Sequence, residues 1–192
     1  MTGGWLKALL GALAVAYPLL VYAGIGHFRP AVFGALLAAL AMLRLTGLPS
    51  AERHQLLLPT ALALGYAIAV AVTDNALLLR FYPVLISATM LLAFGRTLLE
   101  PPSLIERFLA ARGTELDDAG RAYVRNVTAV WCVFFIVNGG IAAWTALFGS
   151  WELWALYNGL LAYLLMGGLF CVELIVRHFY RARLAHQQQA DG

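Results

Sequence analysis

Arg80 stands inside the apolar stretch NALLLRFYPVLISATMLLAFGR, residues 75 to 96, three positions ahead of Pro83. A guanidinium in such a place can do one of two things. It can snorkel from hydrocarbon to the headgroups as an anchor, with Asp74 nearby as an ion-pair partner. Or it can stand at the mouth of a cavity and meet an anionic lipid or substrate. Three more polar side chains interrupt apolar runs: Asn138, Asn158 and Glu173. A polar group in hydrocarbon is costly unless it is paired. Asn138 precedes Gly139 and Gly140, and Asn158 precedes Gly159, so each amide lies where helices can approach closely and bond across. The two asparagines therefore read as helix-packing residues or as the lining of a substrate path. Glu173 has Arg177 four residues on, which suits a helical ion pair; a carboxylate that carries protons is the alternative.

Conventional catalytic patterns are missing. The sequence contains no phosphate-binding G-x-x-x-x-G-K-[ST], no H-E-x-x-H, no G-x-S-x-G and no C-x-x-C. His27, His54, His178 and His186 fall in separate loops or tails, so no metal site and no cofactor is expected. Cys132 and Cys171 both lie in apolar runs and read as small buried hydrophobes rather than a disulfide. The Asn-Val-Thr at 126–128 matches a glycosylation sequon but begins at an expected cytoplasmic face, where it has no use.

The elements that position these residues follow from composition. Of 192 residues, 62% are hydrophobic and 12% charged, against about 25% charged in soluble domains. A soluble fold of this length cannot hide so much apolar surface, so lipid is the expected solvent. The net charge of +3 gives no basic stripe for nucleic acid. A spanning helix needs about 20 mostly apolar residues. On that criterion the expected fold is all-α, a polytopic bundle with spans near 6–25, 30–46, 56–73, 77–95, 127–148 and 153–176, in a single domain over 1–184 with a polar tail at 185–192. The first segment has Lys7 ahead of its apolar run but is long for a signal peptide and is broken by Pro18, so it reads as a retained helix.

Charge placement tests this independently. With six spans and both termini in the cytoplasm, Lys7, Arg44, Arg53, Arg96, Arg107, Arg112, Arg121, Arg125, Arg177, Arg181 and Arg183 fall inside, and only Arg29 and Arg80 fall outside. That is the asymmetry of the positive-inside rule. Trp144, Trp151 and Trp154 gather around the expected outer loop at 149–152, and Trp5, Phe179 and Tyr180 lie near inner ends, as interfacial aromatics do.

The one long connection, 96–126, is polar. Ser103 and Glu106 form a capping box after Pro101-Pro102, which predicts a helix ended by Gly113. Leu104, Ile105, Phe108 and Leu109 share one face of it, so it suits the inner membrane surface, as a lid or spacer or as a docking site. Asp117-Asp118 is placed to cap the next helix. No internal repeat of the inverted-transporter kind is present.

The segment around Asn126, Trp131, Phe134, Phe135, Gly139, Ser150, Trp154, Tyr157 and Gly159 resembles the intracellular septation protein A family of bacterial inner-membrane proteins, and Asp74 and Pro83 match its fourth-helix region. The likeness covers about residues 70–180. It departs at Asn158, where the family usually carries a basic residue, and in the longer, more charged 96–126 loop. The wording PPSLIERF and SWELWALYNG is similar to related membrane proteins associated with aryl-polyene pigment biosynthesis. The resemblance implies a non-enzymatic role in cell-envelope biogenesis or integrity, in contact with the lipid bilayer and other envelope or pigment-pathway membrane proteins. The alternative is a component of a transporter or flippase for a lipid-linked or polyene product, with Arg80, Asn138 and Asn158 along its path.

Overall fold

The computed structural model describes residues 20–24, 27–46, 50–114 and 116–190. Among these all regular structure is helical: α1 (Pro30–Thr46), α2 (Ser50–Thr73), α3 (Ala76–Arg80), α4 (Tyr82–Leu99), α5 (Leu104–Ala110), α6 (Asp118–Phe148), α7 (Trp151–Leu156) and α8 (Ala162–Ala190). Residues 20–24 are also helical. Most of the expected first span, 6–25, lies outside the described residues.

Among the described residues, three helices are long and apolar enough to cross a membrane: α4, α6, and the continuous run Trp151–Tyr180. Two shorter apolar stretches, Pro30–Ala39 and Ala61–Thr73, lie in α1 and α2. The expected span at 77–95 is broken. Asn75 accepts from the backbone N–H groups of Leu77 and Leu78 and starts α3, which ends at Phe81. Pro83, in the first turn of α4, has no N–H to continue the ladder, so the chain restarts there as a second helix.

The connection at 96–126 is more helical than a loop. Ser103 caps α5 by accepting from Glu106 N–H, and Gly113 takes the left-handed conformation (φ 76°) past its end. Asp117 accepts from Gly120 N–H and starts α6 well ahead of the expected boundary at 127.

Two pairings organise the fold. α1 packs on α2 closely enough that a Cβ added at Gly34 would stand 2.6 Å from the Ala71 nitrogen. α4 packs antiparallel on α6, with Ser87 beside Gly139 at one level and Phe94 against Phe135 (centroids 5.4 Å apart) and Trp131 at another. α6 buries Val124, Thr128, Cys132, Phe135, Asn138, Ala142 and Thr145, a stripe at spacings of three and four that marks one helical face, together with Ala146. A core of Val21, Phe33, Leu37, Ala67, Val70, Leu79, Ala146, Trp154 and Ala155 joins the two pairings. Tyr66 donates to the Leu78 carbonyl across the same junction. Much of α8 faces outward with Leu164, Phe170, Val172 and Phe179 exposed, a surface that lipid would cover.

Candidate functional site

Helix ends leave carbonyls without intrahelical partners, and those carbonyls carry partial negative charge. Arg80 meets this demand at the end of α6. Its Nη2 donates to the carbonyls of Thr145 and Gly149 and, at 3.3 Å, of Ser150. The guanidinium also lies 5.0 Å from the centroid of the Trp151 ring. Trp154 returns the grip, its indole N–H donating to the Arg80 carbonyl at 2.9 Å. The expected pairing of Arg80 with Asp74 is not found. Asp74 is held by Arg29 instead, at 2.6 Å, and also accepts from Ala31 N–H in the first turn of α1. The geometric reason is that α3 turns Arg80 toward α6, while Asp74, in the left-handed conformation (φ 51°) just after α2, faces the start of α1.

Asn138 bridges three elements. Its Nδ2 donates to Ser87 Oγ of α4 at 3.1 Å, and its Oδ1 accepts from the Tyr157 hydroxyl at 3.0 Å. Asn158 lies in a widened π turn, Tyr157–Leu161, between α7 and α8, where Ala162 N–H reaches back to the Tyr157 carbonyl. From there its Nδ2 donates to Thr145 Oγ1 at 3.2 Å and to the Trp154 carbonyl at 2.9 Å. The wide turn lets two consecutive side chains, Tyr157 and Asn158, both reach α6; π turns recur at such special positions.

Arg80, Asn138 and Asn158 thus belong to one polar seam along α6, with Thr145 shared by Arg80 and Asn158. Within it the Arg80 Nε and Asn158 Oδ1 atoms are buried and have no hydrogen-bond partner. Glu173 is not part of the seam. It is about 22 Å further along the helix from Asn158 at 1.5 Å per residue, paired with Arg177 at 3.5 Å. Tyr123 there donates to the Glu173 carbonyl at 3.5 Å and stacks on Tyr180, tying α6 to α8.

Ser87 and Thr145 complete the seam without having stood out in the sequence, and Trp154 and Tyr157, read there as an interfacial aromatic and as part of a family resemblance, join it as hydrogen-bond donors. Thr145 lies seven residues after Asn138, two turns along the same face, which is the signal that could have found it. Among the described residues no three His, Cys, Asp or Glu side chains gather where they could hold a metal ion. Chemically, the seam is a set of neutral amides and hydroxyls with one guanidinium, suited to holding helices together.

Comparison of the chain with family models, with curated proteins and with solved structures returns no match. The class rests on the fold itself: the described residues are helical, with three helices of membrane-crossing length and composition.

Proposed function

We propose that the chain is a non-enzymatic, multi-pass protein of the bacterial inner membrane that supports cell-envelope biogenesis, with six spans and both termini cytoplasmic. The observation that carries this reading is the pairing of the seam's amides with side chains and carbonyls of neighbouring helices. Ser87, Asn138 and Tyr157 satisfy one another, and Asn158 is spent on Thr145 and Trp154, so the polar groups bind helices rather than line an open passage. The arginine asymmetry supports the topology, and the likeness to septation protein A supports the envelope role.

A second reading, a transporter or flippase component, draws on the two unpartnered buried atoms, Arg80 Nε and Asn158 Oδ1. Alanine at Asn138 and at Asn158 separates the two. Loss of folded, membrane-assembled protein supports the packing role. Normal assembly with failed export of a lipid-linked or pigment product supports transport.

A further inference from the structure

The second charged feature of the molecule lies at the opposite end of α6 from Arg80. An open cleft of about 530 Å³ is lined there by Pro101, Pro102, Ser103, Glu106, Arg121 and Arg125, with Ala122 on its wall. Arg121 and Arg125 are four residues apart on α6, so they share a face, and two like charges at that spacing repel unless an anion lies between them. Glu106 supplies part of the answer, standing 3.8 Å from Arg121. Arg125, which is exposed, has no ion pair among the described residues.

The charges on the lining therefore leave one positive charge unmatched. A singly charged phosphodiester neutralises it, and a guanidinium is the side chain that best fits two phosphate oxygens. The surroundings favour the same ligand. Leu99 (85% exposed), two residues before Pro101 at the end of α4, is an apolar side chain open to acyl chains below a headgroup. The walls are firmly placed: Thr97 Oγ1 accepts from Leu104 N–H at 2.9 Å, and Arg107 Nε donates to the Pro102 carbonyl at 2.9 Å.

We propose that the cleft between the 101–106 corner and the first turns of α6 binds a monoanionic phosphodiester through Arg125 and Arg121. The chemistry is that of a phosphatidylglycerol headgroup or of a soluble glycerophosphodiester. The proposal does not depend on which side of the membrane the cleft faces or on an envelope role.

The test uses the full-length protein in detergent, with bound ligand counted by native mass spectrometry. The probes are short-chain phosphatidylglycerol, short-chain phosphatidylcholine and glycerophosphoglycerol. Phosphatidylglycerol is expected to bind the wild type and to lose at least about tenfold in affinity in Arg125→Gln, with part of the loss restored in Arg125→Lys. Glu106→Gln is expected to bind it more tightly. Preference for the lipid over glycerophosphoglycerol assigns the site to the membrane; equal affinity assigns it to the soluble ester. Equal binding of phosphatidylcholine, or affinity unchanged in Arg125→Gln while its helical circular dichroism matches wild type, overturns the proposal. Should Arg125→Gln fail to fold, Glu106→Gln carries the test, and unchanged affinity there overturns it.

Discussion

The Tyr157 hydroxyl donates to Asn138 Oδ1 at 3.0 Å, and the same amide donates to Ser87, so one side chain joins α4, α6 and the π turn. Asn138 and Tyr157 are both buried, which makes each bond sensitive to the loss of a partner. Tyr157→Phe is expected to destabilise the detergent-solubilised protein by about 0.5–1.5 kcal/mol. Asn138→Ala, which strands both Ser87 and Tyr157, should cost more. A double-mutant cycle in denaturant unfolding should return a positive coupling between the two sites, and strict additivity would remove the bond from the account.

Arg80 caps the end of α6 through one nitrogen, Nη2, which meets the carbonyls of Thr145, Gly149 and Ser150, while the guanidinium lies over the Trp151 ring, a contact that an ammonium makes poorly. Arg80→Lys is therefore expected to recover less than half of the stability lost in Arg80→Gln. Full recovery in thermal melts would mean that charge alone, not the contact of the guanidinium with Trp151, matters.

Gly34 lies where α1 and α2 touch backbone to backbone, and the atoms a Cβ would meet, Ala71 nitrogen and Ala67 oxygen, cannot swing aside. Gly34→Val is expected to cost about 1–3 kcal/mol through overpacking. The same change at Gly140, which has open space around its Cβ position, should be far milder. Comparable losses at both positions would show that the close approach is not the cause.

The Asp74 carboxyl is held below its ordinary value of 3.8 by the Ala31 N–H bond first and by Arg29 second. Because the folded group titrates lower than the free one, its contribution is fully present above the ordinary value. It is lost as pH falls through the depressed folded value. Thermal stability followed from roughly pH 5 down to pH 3 should therefore fall in the wild type and fall less steeply in Asp74→Asn. Parallel curves would contradict the contact. The pair is exposed on the Arg29 side, so the difference should be small.

Much of the helical fold was legible because hydrophobic run length and local caps are written in neighbouring residues. Ser103 with Glu106, and Asp117, each mark a boundary through their own backbone chemistry. The site was only half legible. Asn138 and Asn158 stand out because amides are rare in apolar runs, but their partners Ser87 and Thr145 are small residues that lipid tolerates unpaired. The break at Phe81 was missed because the apolar run continues through it. The partner of Arg80 was missed for a different reason: the carbonyls of a distant helix end leave no trace in side-chain identity, whereas Asp74 lies close in sequence and invites a pairing that tertiary geometry assigns to Arg29. The π turn at Tyr157–Leu161 likewise has no marker, since it depends on what α6 offers opposite it.

The proposed topology has the chain crossing the membrane repeatedly with its arginine-rich connection in the cytoplasm. It is tested most directly by cysteine accessibility in a background where Cys132 and Cys171 are replaced by alanine. With an impermeant maleimide on intact spheroplasts, His27→Cys should label at once and Thr114→Cys only after the membrane is opened. Labelling of Thr114→Cys from outside, before lysis, would contradict the account.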